Sequence, residues 1–425
     1  MKKIIVISSY PPKGSTHGSK FGGVASYTKN TLNAIDSAME SKGEHRPSYL
    51  VLADQLHGYK SYKEGNKRVK RFWKRDDILL FAKLFFQILS NPSYKDVVIA
   101  FEFSLFGLNK LIVGMMPIFM FLLRLIGKKV YFISHHVVLD MNEVSGQLGV
   151  RKHSLKNNIF SHLVRAVYLA SVLASNKTIV FEEHLKQKIL KYVPLSKKII
   201  AITHGAEVRK HKITQSQART KLDLPKNEFV MMSFGFMAWY KGSDWIVAKF
   251  AELMEKKKLP SDVTLIMAGG WSRNHKNNPV YLRMINKIEE IAREHNTKIR
   301  LTGFVAENEI ETYFAASDLI ILPYRVMISA SGPFSFVLSY KKPFILSDHL
   351  GGYAKNLDFQ QAMKIVGLHR KEIFFPLMSE GLENSVKYFS EHRENNLKAQ
   401  AFTAELLKLR SWNEIGKKYA NTLNL

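Results

Sequence analysis

Along this chain, short apolar runs alternate with longer stretches in which apolar residues recur every three to four positions. The short runs predict strands over 4–8, 49–53, 97–101, 130–134, 178–181 and 198–202. Between them the helical period predicts helices starting at 24 and covering 78–89, 108–126 and 155–174. A polar stretch at 209–227, rich in Lys, Arg, Thr and Gln, interrupts the pattern. It then resumes with strands over 229–234, 263–268, 298–301, 319–322 and 343–346, a helix over 307–316 and another opening at Ser331-Gly332. Short apolar strands separated by helices imply parallel sheets covered on both faces, because the crossover helices must lie over the sheet. The expected architecture is α/β, with two doubly wound Rossmann-like domains at 1–208 and 209–410.

Composition adjusts this picture in three ways. The chain has 425 residues, 46% of them hydrophobic, enough for two packed cores and too many for one. It has no cysteine, which excludes disulfides, thiolate metal sites and cysteine nucleophiles and fits a reducing compartment. The apolar run at 4–7 follows two lysines but ends in Ser-Ser-Tyr-Pro-Pro, so it reads as a first strand rather than a signal segment.

The net charge is +27, and the first half carries most of it. Residues 1–208 hold 31 Lys and Arg against 14 Asp and Glu, a net +17. Such a field favours polyanions: nucleic acid, anionic lipid or phosphorylated substrates. No nucleic-acid reading motif accompanies it, so no nucleic-acid partner is expected. Two segments point towards a membrane surface. Residues 66–75, NKRVKRFWKR, interleave six cations with Val, Phe and Trp, a mixture suited to anionic headgroups. Residues 111–123 are uncharged but number only 13, where about 20 are needed to span a bilayer. The expectation is a cytoplasmic protein, peripheral on the inner membrane face.

Candidate chemistry gathers at strand ends. Ser331 and Gly332 open a helix whose first N–H groups form an anion site. Gly22 and Gly23 open another, where glycine lets backbone approach a phosphate. Lys241 precedes Gly242 at a third helix start, a place where the dipole disfavours a cation unless an anion is present. His135 and His136 follow the strand over 130–134 and point to a crevice. Glu102 follows the strand over 97–101, where it either holds a hydroxyl or caps the next helix.

The words Gly303-Phe304-Val305, Ala315-Ala316-Ser317-Asp318-Leu319, Leu322-Pro323-Tyr324-Arg325, Ser331-Gly332 and Gly22-Gly23-Val24-Ala25 resemble the family-4 retaining glycosyltransferases, which have the GT-B fold. The resemblance covers most of the chain. It implies two domains across a cleft, with the final segment 411–425 crossing back to brace the first. It also implies a nucleotide diphosphate sugar as donor substrate, no other cofactor, and a glycan or lipid-linked acceptor. By this resemblance His135 contacts the transferred sugar, and Glu102, in a Phe-Glu-Phe-Ser-Leu-Phe-Gly word, faces an acceptor hydroxyl. Gly22 and Gly23 face the donor diphosphate or the acceptor, while Gly235 and Lys241 lie at the diphosphate.

The chain departs from the family at three positions. The arginine that pairs with the family lysine is Phe236, with Arg325 as a candidate replacement. The two family glutamates fall on Ile328 and Phe336, neither of which accepts a hydrogen bond. The loop instead reads Ser329-Ala330-Ser331-Gly332-Pro333, as in a Ser-Gly subgroup. Retaining transfer in this fold relies on positioning and charge stabilisation, with a diphosphate oxygen guiding the acceptor proton, so these losses do not by themselves abolish it. No Asp-x-Asp occurs in the chain and no histidine spacing suits zinc, so no metal is expected. A catalytically silent nucleotide- or glycan-binding protein of the same fold is the alternative.

Overall fold

The computed structural model describes residues 1–16, 22–102, 105–107, 109–209, 212–271 and 278–425. Phe103 and Ser104 of the Glu102 word, Leu108 at the predicted helix start, and Lys210 and His211 in the polar link lie outside the described residues.

Two sheets dominate. The first contains β1 (Lys3–Ile7), β2 (Ser48–Asp54), β3 (Tyr62–Glu64), β4 (Lys67–Trp73), β5 (Asp96–Phe101), β6 (Lys129–Ser134), β7 (Lys177–Val180) and β8 (Ile199–Ala201), in the order β3-β4-β2-β1-β5-β6-β7-β8. All its pairings are parallel except β3 with β4. The second contains β9 (Phe229–Phe234), β10 (Val263–Ala268), β11 (Ile299–Leu301), β12 (Leu319–Leu322), β13 (Phe344–Ser347) and β14 (Phe374–Phe375), parallel throughout in the order β11-β10-β9-β12-β13-β14. This is the GT-B arrangement of two Rossmann-like domains. The topology reverses beside β1 in the first sheet and beside β9 in the second, and open α/β sheets hold ligands at the carboxyl side of such points.

Both sheets are buried on two faces, which is why their strands read as continuous apolar runs. In the first, Ile5, Ile7, Val130 and Phe132 face the helices Leu80–Leu89, Lys110–Leu125 and Leu155–Ala174. Ile4, Val6, Tyr131 and Ile133 face the helix Gly23–Ser41 and the last helix, Trp412–Thr422. The chain's end thus returns to the first domain. Tyr27 and Tyr419 join hydroxyls at 2.7 Å, and a Cβ on Gly416 would run into the Ala34 carbonyl.

A buried charge network fastens this return. Arg410 is 1% exposed and reaches Asp358 of the second domain at 2.9 Å and Glu182 of the first at 3.3 Å. Asn356 donates to Glu182 at 2.7 Å and accepts from the Glu183 N–H at 2.8 Å. Burial raises the Glu182 carboxyl to about 7 despite Arg410 beside it. Burial would lift Asp358 too, but Arg410 outweighs it and holds that carboxyl below its usual range.

The basic segment 66–75 is not a surface loop. It forms β4, inside the sheet between β3 and β2. Lys67 is buried against Asp36, the Arg71 guanidinium donates to the Tyr10 and Pro11 carbonyls, and Arg75 pairs with Asp54 at 3.0 Å. Trp73 is buried and donates its indole N–H to the Leu52 carbonyl. Sequence-distant acids and carbonyls thus hold Lys67, Arg71 and Arg75, while Arg68 and Lys74 stay exposed, so the six cations do not all face outward as a headgroup patch would need. The helix Lys110–Leu125 has the expected length, and among the described residues no helix is long and apolar enough to cross a membrane.

Candidate functional site

In the second domain, glycine turns stand side by side at the carboxyl ends of neighbouring strands. Gly235 follows β9 with φ +103°, which side chains rarely adopt, and its N–H donates to the Ala268 carbonyl. Gly269 and Gly270 follow β10, and a Cβ on Gly270 would crowd the Phe304 N–H at 2.9 Å. Gly303 follows β11 with φ +67°. Gly332 opens the helix Gly332–Ser339 after β12. Phe304 is 52% exposed and its ring lies 6.3 Å from that of Phe236, while Val305 turns inward to the core. Aromatic surface therefore occupies the edge where the family arginine was expected.

Lys241 sits at the centre of this row. The turn Trp239–Lys241 ends on Gly242 at φ +71°, where a Cβ would strike the Pro323 carbonyl. That turn brings the Lys241 ammonium against Gly235, 3.2 Å from the position a Gly235 Cβ would take, with the Pro333 ring at 2.9 Å from the same point. Among the described residues no carboxylate pairs with it; its one neighbour of note is the Tyr240 ring at 5.9 Å. Desolvation pushes its pKa down from 10.5 to about 8. The residue is half-buried, and a partly desolvated cation without a counter-ion is costly unless an anion arrives.

The Ser331-Gly332 turn contributes less backbone than its sequence suggested. Ser331 is buried, its N–H donates to the Tyr353 hydroxyl at 3.2 Å, and its own hydroxyl caps the Phe334 N–H and meets Tyr324 at 2.8 Å. Pro333 has no N–H. Among the described residues no acceptor takes the Gly332 N–H, and a Cβ there would meet nothing within 4 Å. Gly22 and Gly23 are equally open, with Gly22 as the N-cap of the helix Gly23–Ser41.

Arg325 does not stand free beside Lys241. Both guanidinium arms grip Asp244, at 2.6 and 2.9 Å, one also reaches the Trp239 carbonyl, and the group lies over the Trp239 ring. It therefore braces the turn that carries Lys241. Beyond it opens a pocket of about 310 Å³ between the domains, lined by His184, Lys188, Lys191, His349 and Lys355.

The first domain gives a different result for the histidines. Side chains alternate along a strand. Tyr131 and Ile133 of β6 face the Gly23–Ser41 side, and His135 continues that row. Its ring is buried in an aromatic cluster, 5.1 Å from Tyr27 and 4.9 Å from Phe181, with His204 and Trp412 beyond. Its Nε2 has no partner, and burial, followed by His136 and His204 nearby, drives its pKa well below the ordinary value. The imidazole is therefore enclosed and held neutral. His136 follows the opposite row and is partly exposed, so of the two histidines it is the one open to solvent.

Glu102 is partly exposed, and its charge raises the phenol pKa of both Tyr168 and, across the cleft, Tyr240, although burial is the larger cause for each. Ile328 is buried in the first domain's core, and its carbonyl accepts the Val137 N–H at 2.7 Å. Phe336 packs on Phe234 and Phe314, with the Arg209 guanidinium 5.7 Å above its ring. Hydrophobic packing thus fills both places expected of glutamates. Sequence reading missed Tyr240, Asp244 and the contact of Trp239 with Gln147 across the domains, where the Trp239 N–H donates at 3.1 Å. The Trp-Tyr-Lys word was their only signal. Among the described residues no three His, Asp or Glu side chains cluster to hold a metal ion.

Comparison with known proteins agrees with this geometry. Residues 228–363 match the family described as glycosyl transferases group 1, the span that carries the glycine row and Lys241. No curated protein matches the sequence. Among solved structures, sucrose-phosphate synthase from Thermosynechococcus elongatus superposes with a TM-score of 0.69 at 14% identity, over 100% of this chain and 98% of that one. HepE from Anabaena, in complex with UDP-glucose, gives 0.65 at 15% identity over the whole of both chains. The lipopolysaccharide-biosynthesis glycosyltransferase WaaG gives 0.63 at 12% identity over 99% of each.

Proposed function

We propose that this chain is a family-4 retaining glycosyltransferase, moving a hexosyl group from a nucleotide diphosphate sugar to a hydroxyl of a glycan or lipid-linked acceptor. The observation that carries this reading is Lys241: an ammonium that no carboxylate pairs with among the described residues, held against Gly235 and the Pro333 ring. As the glycosidic bond breaks, negative charge grows on the leaving diphosphate, and a preorganised cation in a dry site stabilises that charge most when it is largest. The new bond forms at the acceptor oxygen, whose proton passes to the departing phosphate oxygen. Arg325 and Asp244 hold the Trp239–Lys241 turn in place. His136 and Glu102, on the first domain's side, are the groups we assign to the sugar and the acceptor. That HepE was solved with UDP and UDP-glucose makes uridine donors the first to try.

Phe236, Ile328 and Phe336 favour a second reading, a protein of this fold that binds nucleotide and transfers nothing. A screen of UDP-, GDP- and ADP-sugars for diphosphate release separates the two. The transferase reading expects one donor to turn over, with Lys241→Ala slower by about 10²-fold, roughly 3 kcal/mol of transition-state stabilisation. Tight diphosphate binding with no turnover of any donor would decide for the silent binder.

A further inference from the structure

The first domain turns an apolar face outward. On the helix Lys110–Leu125, Ile112, Met116, Phe119, Met120 and Leu123 fill the core. A second stripe on the same helix, Leu111, Met115, Ile118, Leu122 and Leu125, lies in solvent, with Leu111, Ile118 and Leu125 at 68%, 61% and 66% exposure. The spacing of that stripe repeats every three to four residues, so it forms one continuous surface. The neighbouring helix Leu155–Ala174 sends Val164, Tyr168 and Val172 into the core but adds Leu155, Ile159 and Leu163 to the outer face. Soluble surfaces scatter single apolar residues but rarely join them into a face across packed helices.

Charge identifies the occupant. Residues 109–129 and 145–176 contain no Asp or Glu. Lys110, Arg124, Arg151, Lys152 and Lys156 are exposed around the face, and among the described residues none pairs with a carboxylate. A second copy of this chain would bring like charges together, whereas an anionic lipid surface meets both the cations and the apolar side chains. The direction also fits. Each helix follows a parallel strand and runs back against it, so the ends bearing Leu111 and Leu155 lie at the strands' carboxyl side, where the cleft opens.

We propose that the helices Lys110–Leu125 and Leu155–Ala174 form a docking face for an anionic phospholipid bilayer, seating the cleft mouth at the membrane. This face is not the basic segment that became β4, and the inference stands without the transferase reading, since its test uses no donor sugar.

The test is co-sedimentation of the full chain with phosphatidylcholine vesicles, with and without phosphatidylglycerol. Binding should be at least tenfold stronger to the anionic vesicles and weaken steeply between low and high salt. Ile118→Ser with Leu122→Ser and Leu125→Ser should cut it at least tenfold, as should Lys152→Glu with Lys156→Glu, and both variants should melt like the parent because the changed side chains face water. Absence of binding to anionic vesicles, or binding that neither variant weakens, overturns the proposal. So does a wild-type dimer in solution that the serine variant converts to monomer, since the face would then belong to a second copy.

Discussion

The two domains share a fold but use their strand ends in opposite ways. At the second sheet, the ends of β9 to β12 carry Gly235, Gly270, Gly303 and Gly332, and the space above Gly303 and Gly332 is open. One desolvated lysine supplies the charge. At the first sheet, the end of β6 is closed by rings: His135, Tyr27, Phe181, His204 and Trp412 pack together, the last from the returning helix. One half is built to admit a ligand to its backbone. The other uses the end of β6 to fasten the chain's end, while Gly22 and Gly23, after β1, stay open. A strand-end side chain is therefore a site candidate only when its row faces the cleft.

The largest effect is expected where both halves meet. Arg410→Met strands two buried carboxylates, Glu182 and Asp358, and should cost about 3–5 kcal/mol in urea unfolding. A loss near zero would mean that the returning helix does not hold the halves together. The next contrast lies within the second domain. Gly235→Ala meets both a positive φ and the Pro333 ring, so about 1–2 kcal/mol of stability should go with nucleotide affinity. Gly332→Ala meets neither, so its melting temperature should hold while diphosphate affinity falls about tenfold, as the new methyl group stands where the ligand approaches. Calorimetry of both variants reads the split, and equal behaviour would contradict the open-backbone account. The smallest contrast concerns the histidines. His136→Ala should slow transfer about tenfold, the scale of one lost hydrogen bond to the sugar. His135→Phe, which keeps an aromatic ring in the cluster, should leave transfer nearly unchanged. A transfer defect in the His135 variant alone would restore it to the site.

Much of this was legible in the sequence. Continuous apolar runs fixed the parallel sheets, and the Lys241-Gly242 and Ser331-Gly332 words marked turns whose roles depend on local backbone. What escaped depended on distant partners. Lys67 and Arg71 looked like surface because Asp36 and the Tyr10 and Pro11 carbonyls that hold them lie elsewhere in the chain. Arg325 looked free because nothing local announces Asp244 as its partner. His135 was favoured over His136 on family resemblance, and strand alternation separates the two only once the returning helix shows which row is enclosed. Arg410 gave no more than a charge at the end of an amphipathic helix, Arg393–Leu409.

The central claim is that Lys241 waits for a diphosphate, and its titration tests that most directly. Its folded pKa, about 8, lies below the ordinary 10.5, so charging it destabilises the empty protein at low pH, and that cost fades as pH rises from about 8 to 10.5. A bound diphosphate favours the charged form, so affinity should be level below pH 8 and fall as the amine loses its proton above it. Calorimetric titration of the cognate nucleoside diphosphate at pH 7 and pH 9.5 should show that drop in the wild type, and weak, pH-independent binding in Lys241→Ala. Equal affinity at both pH values, matched by the alanine variant, would contradict the account.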